Sequence, residues 1–201
     1  MKKLTLLAIL LLAASLSCKE ITGTGDSPKP QTTTEHFIGF DFKGSAASFP
    51  GGDEAAPTHL FIHKYPIPGD GYISGLILLN DADILEEGFS LLILRPNQGQ
   101  WEVIHRVDAD EDDQPAATTG ISTIDFGESL PVREGDIFAH WQAGDTGPIP
   151  MNTKETAFEG FSFGKFGFNS ADIEVGQVIP NNGFSGGRDY FVNLIFENTN
   201  D

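Results

Sequence analysis

The stretch YISGLILL at residues 72–79 opens the part of the sequence that decides the fold. A second apolar run, FSLLIL at 89–94, stops at Arg95-Pro96, where proline has no N–H for a ladder hydrogen bond. The tetrapeptide PNQG at 96–99 supplies residues that a hairpin turn favours, and it leads into a third run at 100–107. These runs predict consecutive antiparallel strands.

The strand pattern continues beyond this hairpin. In the third run the period of two places four side chains on the same face of the strand, namely Trp101, Val103, His105 and Val107. Further strands are predicted at 121–126 and at IFAHW, 137–141, with a tight turn at Glu134-Gly135-Asp136 between them. Short apolar runs spaced by roughly 8–12 residues predict an all-β fold, a single antiparallel β-sandwich of jelly-roll-like type.

The two ends of the predicted domain also alternate. In HFIGFDFK, 36–43, Ile38 and Phe40 are assigned to the core face and Phe37 to the other face. The closing strand RDYFVNLIFE, 188–197, places Tyr190, Val192, Leu194 and Phe196 opposite Phe191, Asn193 and Ile195. Between these ends, AFEGFSFGKFGF at 157–168 predicts a hairpin with its turn at Gly164-Lys165. Its phenylalanines either fill the core or form an aromatic platform.

The first residues, MKKLTLLAILLLAASLSC, have the composition of an export signal. Lys2 and Lys3 precede an apolar run that is too short to cross a bilayer, and small residues follow it. Residues 19–35 are rich in Thr, Pro, Gly and Ser and predict a flexible tether. We therefore divide the chain into a signal peptide at 1–17, a lipidated cysteine and tether at 18–35, and a β-sandwich domain at 36–198.

The residues before Cys18, the one cysteine of the chain, resemble the lipobox of bacterial lipoproteins. The resemblance implies that Cys18 is diacylated and becomes the first mature residue, and two acyl chains anchor a protein stably. Ser15 departs from the pattern, which usually has Leu there, and ordinary cleavage after Ala14 or Ser15 is the alternative. Lys19 after the cysteine resembles the sorting signal for the outer membrane of Gram-negative bacteria, on either of its faces.

The charge of the chain excludes some partners. The formal net charge is −17, and removal of Lys2 and Lys3 with the signal lowers it to −19. A domain this acidic repels phosphate backbones, so nucleic acid and anionic lipid head groups are poor partners. Divalent cations, neutral glycans and basic proteins are compatible with this charge.

A second resemblance covers residues 67–151. It consists of IPGDGYISGLILL, SLLILRP, a hairpin into WEVI, and LPVREGDIFAHW followed by GPIPM. A strand ending in Arg-Pro and a Val-x-x-Gly-Asp turn that feeds an aromatic strand are similar to a β-sandwich module of extracellular proteins. The resemblance implies the fold and a binding context, and it assigns no residue.

The acidic loop DADEDD at 108–113 is the candidate metal site. Asp108, Asp110 and Asp112 stand at every second position, and their carboxylates are ligands that Ca²⁺ takes in sets of six to eight oxygens. A solvated loop that binds nothing is the alternative interpretation. His59 and His63 do not form a metal site, because four residues of strand separate them by roughly 13 Å.

The sequence predicts a binding protein and not an enzyme. GFSGG at 183–187 lacks the strand and helix of a nucleophile elbow, so it supports no hydrolase site. The predicted function is non-catalytic binding of a glycan, assisted by Ca²⁺, with Trp101, Trp141 and Tyr72 as stacking residues. The alternative is a structural or assembly lipoprotein that binds a protein partner.

Overall fold

The computed structural model describes residues 35–40, 59–63, 65–80, 88–109, 120–142, 149, 151–152, 161–166, 173–180, 185–186 and 189–199. All of them belong to the second of two units of the chain, Thr32–Asp201. Secondary structure in these ranges consists of strands and turns, which confirms the predicted all-β fold.

Thirteen strands lie within the described residues. They are β1 (Glu35–Gly39), β2 (His59–His63), β3 (Gly71–Asn80), β4 (Phe89–Asn97), β5 (Gln100–Ala109), β6 (Gly120–Val132), β7 (Ile137–Gln142), β8 (Met151–Asn152), β9 (Phe161–Phe166), β10 (Val178–Ile179), β11 (Ser185–Gly186), β12 (Asp189–Tyr190) and β13 (Val192–Asn198).

The strands form two main antiparallel sheets, as a β-sandwich requires. The small sheet has the order β1-β13-β3-β6, so strands from the two ends of the domain are neighbours. The large sheet has the order β10-β5-β4-β7-β2-β9-β11, and β8 pairs with β12 separately. The chain crosses between the main sheets from β2 to β3, from β3 to β4, and again from β5 to β6 and from β6 to β7.

Local turn chemistry agrees with the predicted turns. Gln98 and Gly99 both have positive φ, at 50° and 79°, and Asn97 pairs with Gln100. This is the backbone of a two-residue hairpin whose twist matches that of its strands. Gly135 also has a positive φ of 85°, and the N–H of Asp136 donates to the carbonyl of Arg133. Both turns were predicted, and both are confirmed.

The Arg-Pro and Gly-Asp motifs meet in space. Arg95 at the end of β4 donates from Nε and Nη2 to the two carboxylate oxygens of Asp136, at 2.9 and 2.8 Å. The same carboxylate accepts from the N–H of Arg133. Asp136 is buried, and a buried carboxylate is tolerated only when it is paired and hydrogen-bonded. The pair therefore fixes the end of β4 to the turn before β7.

The main core lies between the sheets. It contains Ile73, Leu76 and Leu78 of β3 against residues of β4 and β7, together with one of the two sets into which the alternation divided the closing strand. That set is Tyr190, Val192, Leu194 and Phe196. Ile38 of β1 is also in this core, as predicted, whereas Phe40 packs against Phe191 in a different cluster. Gly39 has a φ of 139°, which breaks the period of two before Phe40.

A second core lies on the outer face of the large sheet. Its members are Leu60, Ile62, Leu92, Leu94, Val103, Ile137, Ala139, Trp141, Ile173 and Ile179. The segment 173–180 covers part of this face, and Arg106 donates to the carbonyl of Ile173 at 2.7 Å. β4 and β7 are therefore buried on both faces, which explains why their sequences are almost continuously apolar.

The predicted single face for Trp101, Val103, His105 and Val107 is wrong. Val103 and Trp101 belong to the outer cluster, whereas Val107 packs against the main core. Between the pairs Ile93 with His105 and Leu94 with Val103, β5 carries one extra residue, Ile104. A β-bulge of this kind turns the following side chains to the opposite face.

The predicted turn at Gly164-Lys165 is also wrong. β9 runs from Phe161 to Phe166 and pairs with β2 on one side and with β11 on the other. Phe163 pairs with Phe61 and Phe166 with His59, so β9 has one more residue than β2 over this interval. The Gly-Lys step is a bulge within one strand, since glycine suits a bulge as well as a turn.

Candidate functional site

The outer face of the small sheet is the candidate binding surface. Its register places side chains in rows across the four strands, and one row contains Phe37, Ile195, Gly75 and Asp125. The adjacent row runs from Glu197 through Tyr72 to Pro131. Phe37 and Tyr72 are each 42% exposed, and Ile121 on β6 is 48% exposed. An apolar patch with a polar border marks an interaction surface.

A groove of about 490 Å³ crosses this face. Its walls combine apolar and polar side chains, namely Phe37, Ser74, Ile77, Ile121, Thr123, Asp125, Ile195 and Glu197. The volume lies within the range of small-molecule sites, and such sites combine apolar walls with a few polar groups that orient a ligand. We call this surface the small-sheet groove.

Gly75 opens the middle of the small-sheet groove. It lies between Ile195 and Asp125 in the register, so the row has no side chain at β3. A Cβ at this position would clash with the carbonyl oxygen of Ile124, which makes glycine necessary there. The register of β3 also shifts relative to both neighbouring strands next to Gly75. The pairing with β6 shifts between Ile73 and Gly75, and the pairing with β13 shifts between Ile195 and Phe196. Bulges of this kind are frequent at binding sites.

The polar groups of the groove are hydrogen-bond acceptors and hydroxyls. Asp125 accepts from the N–H of Gly127 through Oδ1, which fixes the carboxylate and leaves acceptor capacity for a ligand. Glu197 supplies a second carboxylate, and Ser74 and Thr123 supply hydroxyls. The arrangement suits a ligand that combines apolar surface with many O–H donors.

The three predicted stacking residues do not form one site. Tyr72 lies beside the small-sheet groove, opposite Glu197 in the register. Trp101 pairs with Pro96 and Trp141 with Ser90, so the two tryptophans are six residues apart along β4, roughly 20 Å. Both belong to the cluster on the outer face of the large sheet.

The tryptophans are also less accessible than Tyr72. Trp141 is 7% exposed and packs in the outer core. Trp101 is half-buried, and its indole Nε1 is buried with no hydrogen-bond acceptor among the residues described. Of the three, Tyr72 has the exposure that ligand stacking requires.

Asp108 of the predicted calcium loop is already engaged. Its Oδ1 accepts from the hydroxyl of Ser90 at 2.6 Å, and its carboxylate pairs with Arg106. Asp110 and Asp112 lie outside the described residues. Within the described ranges no group of three or more His, Cys, Asp or Glu side chains is arranged to hold a metal ion.

A buried histidine pair in the main core is the other polar feature of note. Nε2 of His63 and Nδ1 of His140 are 2.7 Å apart, and both rings are buried. His140 stacks on Phe61 and His63 stacks on Phe138, with ring centroids 5.0 and 4.4 Å apart. Burial lowers the pKa of His63 from 6.5 to about 3. Burial and the neighbouring His63 lower the pKa of His140 well below its usual value.

The hydrogen bonds of this pair follow from the donors available. Nε2 of Gln142 can only donate, and it lies 3.4 Å from Nε2 of His140, which therefore accepts. Nδ1 of His140 then carries the proton and donates to His63. Gln142 also accepts from the N–H of Ile149. The network is neutral and stabilises the core, and its burial separates it from any substrate.

Sequence reasoning missed the part of the groove that comes from the end strands. The alternation placed Phe37 on the face opposite the core, which is correct, and it separated Ile195 from the set that contains Leu194 without assigning either set to the core. Their meeting depends on the pairing of β1 with β13, two strands that are more than 150 residues apart. No local signal in either segment predicts that pairing.

No known family model, no curated protein and no solved structure matches this chain. No helix that is long and apolar enough to span a bilayer occurs in the part of the chain that the structure describes. Cys18, like the whole predicted signal and tether before Glu35, lies outside the described residues.

Proposed function

We propose that this protein is an exported lipoprotein that binds a neutral oligosaccharide in the small-sheet groove. The observation that carries the proposal is the exposure of two aromatic rings, Phe37 and Tyr72, on the sheet face that carries the small-sheet groove. The lipid anchor rests on the sequence before Cys18, and Lys19 favours the outer membrane.

Oligosaccharides fit the chemistry of this groove. A sugar ring has an apolar face of C–H groups that packs on an aromatic ring, and its hydroxyls donate to carboxylates. Phe37 and Tyr72 supply the rings, while Asp125 and Glu197 supply the acceptors. The net charge of −17 and these two carboxylates disfavour phosphorylated or acidic ligands in the groove.

The spacing of the aromatic rings favours a chain of sugars over a single sugar. Phe37 and Tyr72 lie on β1 and β3 with β13 between them, and in adjacent rows. Strand spacing and rise place them roughly 12 Å apart, so each ring contacts a different sugar unit. Affinity should therefore rise with the length of the oligosaccharide.

A glycan array with the full-length protein in mild detergent tests the proposal. Hits are titrated against the wild type and the variants Phe37→Ala and Tyr72→Ala, and each substitution should weaken binding by roughly three- to tenfold. Val175→Ala is the matched control, because Val175 is an exposed apolar residue, 62% exposed, on a turn that lies outside the small sheet. It should leave binding unchanged.

The remaining outcomes distinguish the alternatives. Binding that both aromatic substitutions leave unchanged contradicts the groove as the site. Binding that is lost in EDTA indicates that Ca²⁺ at Asp108, Asp110 and Asp112 carries recognition. An array without hits rejects the proposal that the protein binds a glycan, and it favours the alternative of a structural lipoprotein with a protein partner.

A further inference from the structure

A second cleft opens where β5 of the large sheet adjoins β6 of the small sheet. Its volume is about 290 Å³, and its lining residues are Arg95, Ile104, His105, Pro131, Val132 and Arg133. Two arginines and a histidine in one cleft are unexpected in a chain with 29 acidic and only 12 basic residues. The volume lies just below the range of drug-sized sites, so the cleft suits one small molecule.

The cation that the cleft offers to a ligand is Arg133. Arg95 is held by its two hydrogen bonds with Asp136, which neutralises its charge. Among the described residues the guanidinium of Arg133 has neither an ion pair nor a hydrogen bond, and its side chain is exposed. The backbone N–H of Arg133 donates to the carboxylate of Asp136, so the backbone of Arg133 is fixed while its side chain faces solvent.

His105 offers the complementary acceptor. The bulge at Ile104 turns His105 so that its Nε2 lies 2.7 Å from the carbonyl oxygen of Pro131. A carbonyl only accepts, so Nε2 is the nitrogen that donates, and the tautomer with its proton on Nε2 presents Nδ1 as an acceptor. The contact also bridges β5 to β6 and thereby fixes the position of the ring in the cleft.

We propose that this cleft binds a uronic acid, a sugar that carries one carboxylate. The guanidinium of Arg133 takes the planar carboxylate with two parallel N–H donors, a geometry that arginine provides and lysine does not. Nδ1 of His105 accepts from a ring hydroxyl, and Ile104, Pro131 and Val132 contact the C–H groups of the ring. Asp70 and Glu102 lie near Arg95 and disfavour ligands of higher negative charge.

Calorimetric titration of the full-length protein with D-glucuronate tests the proposal, with D-glucose as the uncharged analogue and lactate as a carboxylate without a ring. Glucuronate should bind with a Kd of about 1 mM, and glucose and lactate should each bind at least about tenfold more weakly. Arg133→Gln should weaken glucuronate binding by about tenfold or more, Arg133→Lys should weaken it less, and His105→Gln should weaken it several-fold.

Three results would overturn the proposal: no binding of glucuronate, equal binding of glucose and glucuronate, or unchanged affinity in Arg133→Gln. If lactate binds as well as glucuronate, the cleft recognises small carboxylates in general, and the proposal that it recognises a sugar is contradicted. Arg133 is exposed, so its variants should fold, and circular dichroism checks this.

Phe37→Ala separates this site from the small-sheet groove. It should leave glucuronate binding unchanged, because Phe37 lies on the outer face of the small sheet and does not line the cleft. Glucuronate binding that depends on Arg133 while the array finds no ligand dependent on Phe37 would support the cleft and reject the groove.

Discussion

The two sheets of the sandwich differ in what happens to their outer faces. The outer face of the large sheet packs into a second core, so that Leu92 on β4 and Ala139 on β7 are fully buried. The outer face of the small sheet keeps Phe37, Tyr72 and Ile121 partly in solvent beside a polar groove. Both faces carry apolar residues, so the apolar content of a strand does not say which face binds a ligand.

The largest expected effect concerns two aromatic residues, one on the outer face of each sheet. Trp141→Ala removes a buried ring from the outer core and should lower the free energy of unfolding by about 3–5 kcal/mol. Tyr72→Ala removes a half-exposed ring and should lower it by less than about 1 kcal/mol. Urea unfolding of both variants measures the difference. Equal costs would contradict the assignment of a buried and an open outer face.

The next effect concerns the inner core and depends on pH. His63 and His140 have lowered pKa values in the folded state, so they stay neutral where the unfolded chain, with a pKa of 6.5, takes up protons. Their stabilisation is therefore present above pH 6.5 and decreases as the pH falls toward 3. Each histidine contributes a slope of up to about 1.4 kcal/mol per pH unit.

Between pH 7 and pH 5 we expect the free energy of unfolding to fall by about 4 kcal/mol. The control is the double variant His63→Leu/His140→Phe, which replaces both partners by apolar groups and should lose most of this pH dependence. The carboxylates are largely ionised in this range, which isolates the histidines. A wild type with constant stability from pH 7 to pH 5 would contradict the buried neutral pair.

A smaller effect tests the centre of the small-sheet groove. Gly75→Ala places a Cβ against the carbonyl oxygen of Ile124 and should lower the free energy of unfolding by about 1–3 kcal/mol. It also adds a side chain to the row between Ile195 and Asp125, so oligosaccharide binding should weaken. Gly99→Ala is a control for added volume, since a Cβ there meets nothing within 4 Å and lies far from the groove. Its positive φ adds only local backbone strain.

The smallest effect is expected at Ile121. This residue is on the open face and 48% exposed, so Ile121→Ala should change the free energy of unfolding by no more than about 0.5 kcal/mol. Leu92→Ala, at a fully buried position of the other outer face, should cost about 2–5 kcal/mol. Thermal and urea unfolding of Ile121→Ala and Leu92→Ala compare the two outer faces with aliphatic residues alone.

Much of the fold was predictable because its signals are local. The period of two assigned the faces of β13 correctly, and the Gln98-Gly99 and Gly135-Asp136 turns follow from their residues. The errors at Ile104 and at Gly164-Lys165 have one cause, a β-bulge. A bulge reverses the faces of a strand without leaving any sequence signal that distinguishes it from regular alternation or from a turn.

The candidate sites were harder to predict because they depend on register between distant strands. Tyr72 was predicted as a stacking residue, and it is half-exposed on the open face. Trp101 and Trp141 were selected for their residue type, but the segment 173–180 that helps to cover their face gives no sign of doing so in sequence. His63 and His140 meet only because β2 and β7 pair, 77 residues apart.

The irregular course of β6 has a consequence for how the molecules behave when crowded. β6 is thirteen residues long and lies at the edge of the small sheet, where a regular strand would offer a row of free N–H and C=O groups to another chain. Between Asp125 and Leu130 it carries three more residues than β3 does between Gly75 and Ile73, with Gly127 at a φ of 71°, and Pro131 follows without an N–H. The row of groups is thus interrupted in the middle of the strand, so this edge is a poor template for pairing with a strand of a neighbouring copy.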